Sequence, residues 1–135
     1  MSKSISRLNP KTLPDAASIG YSQISISGPT RLALVSGQVA WRRNDGSVSD
    51  RLEEQTEQVI KNLSSALDAL DATTHDIVQM RIYMTDLNDE TMAEAMGQII
   101  AFLDGSQPSL TGVGVSKLAA PELQIEVEMV VHTAG

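Results

Sequence analysis

Two alternating stretches carry the side chains best suited to chemistry. In IVQMRIYM, residues 77–84, Gln79, Arg81 and Tyr83 alternate with Val78, Met80, Ile82 and Met84. In LQIEVEMVV, residues 123–131, Gln124, Glu126 and Glu128 alternate with Leu123, Ile125, Val127, Met129 and Val131. Side chains two apart on a strand share a face, so each stretch presents one apolar and one polar side. A carboxylate such as Glu126, held where bulk water is excluded, can act as a general base toward a bound water. The guanidinium of Arg81 can grip an acidic ligand, or it can pair with Glu126 or Glu128. The polar side is therefore either a solvated face or an oligomer interface with polar pockets.

A third stretch, QPSLTGVGVSKL at residues 107–118, also reads as a strand. With Val113 and Val115 turned inward, parity puts Leu110, Gly112, Gly114 and Ser116 on the polar side. Glycines there allow a ligand or another backbone to come close. Other chemistries are poorly supplied. There is no cysteine, which excludes disulfides and thiolate chemistry. The two histidines, His75 and His132, are too few and too far apart for a zinc site. His75 sits at a helix-to-strand junction, where it caps or is solvated. Trp41, Arg42 and Arg43 precede an Asp45-Gly46 turn signal, either as a lid or partner patch or as a packed hairpin end.

The elements that must position these groups follow from periodicity. Residues 4–8, 21–27 and 32–41 read as strands, the last interrupted by Gly37, which marks a bulge or a close approach. From Ser49 to Asp71 the apolar residues Leu52, Val59, Ile60, Leu63, Ala66, Leu67 and Leu70 recur at helical spacing, with Ser49 or Asp50 as cap and Glu53 and Glu54 in the first turn. After the strand at 77–84, a second helix runs from about Asp89 to Leu103, ended by Gly105. Strands at 110–116 and 123–131 complete the order β-β-β-α-β-α-β-β. The expectation is an α+β fold, a six-stranded mixed sheet with two amphipathic helices on one face.

With 135 residues the chain is expected to form a single domain, 1–135. A net charge of −7 repels phosphate backbones, so no nucleic-acid partner is expected. No apolar run approaches the ~20 residues of a membrane span, and MSKSISRLNP has no apolar core of a signal peptide. A cytoplasmic protein without membrane partner is expected.

GYSQ at 20–23, SGQ at 36–38, EQTEQVIKNL at 54–63, TDLND at 85–89, the proline-led strand and IEVE at 125–128 occur in an order and spacing that resembles the YjgF/RidA family, also called the endoribonuclease L-PSP family. The resemblance covers about residue 18 to residue 131. It implies a chorismate-mutase-like fold and a homotrimer whose sheets face inward around a central barrel. It also implies three clefts between subunits that bind small carboxylate- or keto-acid-like ligands, and in the best-known members the hydrolysis of enamines and imines to a 2-keto acid and ammonia.

By the same resemblance, Tyr21 matches the family's cleft tyrosine, and Ser36 and Gly37 match the strand lining the cleft. Asn62 matches a helix asparagine of structural role, and Glu126 matches the acidic residue that orients or activates water. Thr111 matches a hydroxyl beside the cleft, and Arg81 is a candidate relocated cation. The family's deaminases carry arginine in a P-x-R-S/T motif, where it grips the substrate carboxylate. Here the segment reads Pro108-Ser109-Leu110-Thr111, followed by Gly112. Met96 stands where the family has a helix asparagine, and there is one extra residue near Ala119–Pro121. Leucine offers no fork to a carboxylate, and each lost charge-assisted bond is worth about 1.5–3 kcal/mol.

Two readings lead. One is a hydrolase of imines or related reactive metabolites, with Glu126 activating water and Tyr21, Ser36, Gly37, Leu110, Thr111 and Arg81 binding substrate. The other is a non-catalytic, small-ligand-binding trimer of the same fold. Neither invokes a cofactor or metal. The family's ribonuclease label is a third reading, disfavoured by the acidic charge.

Overall fold

The computed structural model of the chain describes residues 5–43 and 46–133. Six strands and two helices form in the expected order: β1 Ile5–Leu8, β2 Ile24–Ser27, β3 Leu32–Gln38, α1 Leu52–Ala69, β4 Ile77–Met84, α2 Asp89–Leu103, β5 Ser109–Gly114 and β6 Ile125–His132. The turn expected at Asp45-Gly46 begins outside the described residues. Among the described residues, no helix is long and apolar enough to cross a membrane.

The two helices start differently. The expected cap of α1 at Ser49 or Asp50 is corrected: the N-cap is Arg51, whose side chain makes no capping bond. Ser49 only tightens the turn before it by accepting the Arg51 N–H at 3.0 Å, while Glu53 and Glu54 in the first turn favour the helix dipole. At α2 the Asn88 side chain accepts the Thr91 N–H, and the Thr91 hydroxyl accepts the Asn88 N–H, each at 3.0 Å. α2 stops as Asp104 turns left-handed (φ 50°), one residue before the expected Gly105 (φ 88°). The break after α1 is a 3₁₀ turn, Thr74–Asp76, closed by a reciprocal box between Thr73 and Asp76.

The expected six-stranded sheet divides in two. Strands β3-β6-β4-β5 form one sheet, antiparallel except for the parallel β4–β5 pair that α2 connects, and β1-β2 form a separate two-stranded ribbon. The reason lies in which face of the ribbon is polar. Ile5, Arg7, Ser25 and Ser27 share one face, turned toward the protein, while Leu8, Ile24 and Ile26 share the other, turned outward. The inner face attaches through side chains rather than a ladder. Arg7 donates to the Ile77 carbonyl at 2.8 Å, and Ser25 and Ser109 share a 2.8 Å hydrogen bond. A single bridge, Ser22 to Ser109, links this region to the edge of β5.

The core lies between the helices and one sheet face. Met80, Ile82 and Met84 of β4 and Ile125, Val127, Met129 and Val131 of β6 are buried against Val59, Leu63 and Leu67 of α1 and Ala95, Ile99 and Leu103 of α2. Each such side chain contributes about 1.5–3 kcal/mol. A buried amide ties α1 to the approach to β6: the Gln55 side chain donates to Ser49 and Glu122 carbonyls and accepts from the Gln124 N–H, at 2.7–2.9 Å.

Candidate functional site

The face away from the helices carries the polar groups that the alternation predicted. On it, Arg81 pairs across strands with Glu128, and Tyr83 pairs with Glu126. Glu128 is engaged on both sides. It accepts the Tyr83 hydroxyl at 3.1 Å and lies 3.9 Å from Arg81. The ion pair is half-exposed and long, so it adds little stability. It does occupy Arg81, the pairing weighed against a ligand role.

Glu126 is held differently. The β3–β6 register shifts between Val35 and Gln38, a bulge that contains Ser36 and Gly37. The Glu126 side chain folds over Gly37 so closely that a Cβ there would lie 2.5 Å from Glu126 Cδ and 2.8 Å from its Cγ. Glycine at 37 leaves the space that the carboxylate fills, and any larger residue there would have to displace this flexible side chain. Among the described residues that carboxylate has no hydrogen-bond or ion-pair partner. The arrangement offers an unspent acceptor on a floor of bare backbone, with Ser36 exposed beside it. Such a group can take a proton from water or hold a donor of a bound ligand.

The other sequence-predicted residues fall in three places. Thr111 pairs with Arg81 on the same open face. Leu110 does not belong there: its partner in register is Met80, and it packs against the hydrophobic core. The parity reading is corrected for Gly112 and Gly114 as well. A Cβ at Gly112 would lie 3.0 Å from Met92 Cε of α2, and one at Gly114 would lie 3.3 Å from Leu87 Cβ. These glycines admit the protein's own helix side of the structure, while Val113 is the residue exposed on the open face.

Tyr21 is remote from Glu126. Its neighbour Ser22 bridges to Ser109 and donates its hydroxyl to the Gln107 carbonyl at 2.6 Å, at the start of β5. Ser109 is level with Gln79, and Glu126 with Tyr83. Four residues of strand separate those levels, about 13 Å at ~3.3 Å per residue. One chain therefore brings Ser36, Gly37 and Glu126 together and leaves Tyr21 at the opposite end of the sheet.

Asn62 is structural. Its amide donates to the Val39 and Trp41 carbonyls, both at 3.0 Å, and so fixes the irregular stretch after β3. Trp41 is 46% exposed rather than packed as a hairpin end. The His75 backbone N–H is capped by Thr73 at 3.2 Å. Among the described residues no three His, Asp or Glu side chains gather as metal ligands.

Comparison with known proteins accords with this architecture. A RutC family protein of Pyrococcus abyssi is 32% identical over 105 residues, covering 73% of this chain and 76% of that protein. A RutC family protein of Pyrococcus horikoshii is 29% identical over 118 residues, covering 83% of this chain and 86% of that protein. The crystal structure of YyfB from Yersinia pestis, a protein of unknown function in the conserved Rid family, superposes with a TM-score of 0.87 at 33% identity, covering 96% of this chain and 98% of that one. The family model described as endoribonuclease L-PSP matches residues 12–133, and the chain belongs to that family, which includes the Rid and YjgF proteins.

Proposed function

We propose that the chain works as a homotrimer around a central barrel, with small-molecule clefts between subunits, and that it hydrolyses enamines or imines. The observation that carries the chemistry is the partnerless Glu126 carboxylate seated on Gly37. In this reading Glu126 takes a proton from water as the oxygen adds to the imine carbon, and returns it to the nitrogen to give the neutral carbinolamine. The C–N bond then breaks as the C=O bond forms, and the hydroxyl proton passes to the departing nitrogen, which leaves as ammonia. General-base assistance of this kind is worth about 10²–10⁴ in rate.

The separation of Tyr21 from Glu126 supports a shared cleft, because a second copy can bring the one alongside the other. The outward Leu8, Ile24 and Ile26, with Leu34 of β3 at 78% exposure, give the copies an apolar surface to bury. In this reading Ser36 and Thr111 bind substrate on the open face, and Arg81 joins them only when a ligand's acid group displaces its long contact to Glu128. The protein is assigned to the cytoplasm.

The test is ammonia and keto-acid release from amino-acid-derived imines generated in situ by a pyridoxal-phosphate enzyme. Glu126→Gln should lower the acceleration by about 10² or more. No acceleration by the native protein with any such imine refutes the hydrolase reading. One observation favours the alternative of a non-catalytic ligand-binding trimer: Leu110 packs on the core, so the P-x-R-S/T position supplies no cation. A ligand that stabilises the native protein without turnover decides for it.

A further inference from the structure

Around Glu126 the open face is ordered in rows across the sheet. Glu126, Tyr83 and Val113 lie opposite one another on β6, β4 and β5, and Glu128, Arg81 and Thr111 form the next row. These rows hold two carboxylates and one guanidinium, so the face is net negative. The guanidinium is already engaged. Arg81 lies 3.9 Å from Glu128, which also accepts the Tyr83 hydroxyl at 3.1 Å. Toward the open side β5 turns the hydroxyl of Thr111 and the 37%-exposed Val113, while Leu110 packs on the core.

That charge pattern discriminates between imines. The imine carbon must stand about 3–3.5 Å from the water that Glu126 activates, so a carboxylate on that carbon would sit roughly 6 Å from the Glu126 carboxylate. In a medium between water and a protein surface, two like charges at that distance oppose binding by about three- to a hundredfold. To find a cation, the acid group would have to take Arg81 from Glu128, and one carboxylate would merely replace another. A protonated imine carries the opposite sign, and the same arithmetic favours it. Val113 supplies an apolar wall for an alkyl chain.

We propose, resting on the hydrolase reading of this site, that its preferred substrates are protonated aldimines of simple alkylamines, which carry no carboxylate. Water adds its oxygen to the imine carbon as its proton goes to Glu126. That proton returns to the nitrogen, the C–N bond breaks as the C=O bond forms, and the hydroxyl proton leaves with the nitrogen. One protonated aldimine and one water thus give one aldehyde and one ammonium ion. The class of reaction that must supply this substrate is oxidation of a primary amine by a separate enzyme.

The experiment compares two imines that differ only in the carboxylate. An amino-acid oxidase acting on leucine supplies the imino acid, and a flavin amine oxidase acting on 3-methylbutylamine supplies the aldimine. Ammonia release is measured relative to spontaneous hydrolysis. The native chain should favour the aldimine over the imino acid by about tenfold or more. Glu128→Gln removes a negative charge and frees Arg81, so this ratio should fall by about tenfold. Arg81→Gln removes the only cation of these two rows, so the ratio should rise. Each value is a ratio from one preparation, which cancels any loss of folded protein, and either variant decides alone if the other does not fold. Equal or reversed preference in the native chain, or a ratio that does not move as stated in a folded variant, overturns the proposal and leaves the hydrolase reading standing. Acceleration of neither imine refutes both.

Discussion

Replacing Gly37 by alanine tests how Glu126 is held. The new Cβ would stand 2.5 Å from Glu126 Cδ and 2.8 Å from Cγ, about 1 Å inside the ~3.5–4.0 Å at which carbon atoms rest. The carboxylate must swing off the strand, or the bulge must open. Moving a flexible, half-exposed side chain off its rotamer costs about 0.5–1.5 kcal/mol, or roughly 4 °C of melting temperature per kcal/mol in a chain of this size. The decisive assay is a double-mutant cycle by thermal or denaturant unfolding at fixed protein concentration. In a Glu126→Ala background the obstructing atoms are gone, so Gly37→Ala should be neutral, or stabilising by the few tenths to ~1 kcal/mol that alanine gains over glycine in the unfolded chain. The coupling should therefore be about 0.5 kcal/mol or more. Equal destabilisation in both backgrounds refutes the account, since the cost would then arise from the backbone of the bulge and not from the carboxylate.

Other expectations follow from single contacts. Gln55→Leu strands the Ser49 and Glu122 carbonyls and the Gln124 N–H. It should cost about 3 kcal/mol or more and speed hydrogen exchange at Gln124, and an unchanged melting temperature refutes the network's role. Leu110→Asp and Thr111→Asp read the two faces of β5 directly. The first buries a carboxylate against the core and should be destabilising by several kcal/mol, whereas the second places it opposite Arg81 and should be nearly neutral; the reverse ranking would restore the parity reading. The rate loss in Glu126→Gln completes the set.

The polar face of β4 and β6 was legible because both strands alternate over most of their length, and one side of each is buried under two helices whose own stripes are clear. The exception is the start of β4, where a register shift between Ile77 and Gln79 makes Ile77 the buried residue and corrects the placing of Val78 with Met80 and Ile82. Gly37 was legible as a bulge, though not as the seat of Glu126, because nothing local says which side chain will fill a missing one. β5 was misread for a physical reason. Past Leu110 the helix-side positions are glycines facing Met92 of α2 and Leu87 just before it, while a valine faces the open side. On that strand small size marks the side toward α2, and hydrophobicity points the wrong way. The β1-β2 ribbon was illegible on similar grounds. Leu8, Ile24 and Ile26 face outward and only Ile5 faces the protein, so the alternation gives the period but not the direction. Arg7 carried a signal of its own, a charge sharing a strand face with Ile5, and only the three-dimensional placement of Ser25 and Ser109 gives it meaning.

The position of β6 has a consequence for synthesis. The last strand of the described chain lies between β3 and β4, in the middle of the four-stranded sheet. Until residues 125–132 have left the ribosome, β3 has no partner in that sheet and β4 has only β5. The apolar stripes of both helices then face an incomplete floor. A chain emerging at ~5–20 residues per second must wait for residues 125–132 before the core can close, so the preceding residues fold only once this segment is available. A product that stops before residue 125 has no centre to its four-stranded sheet.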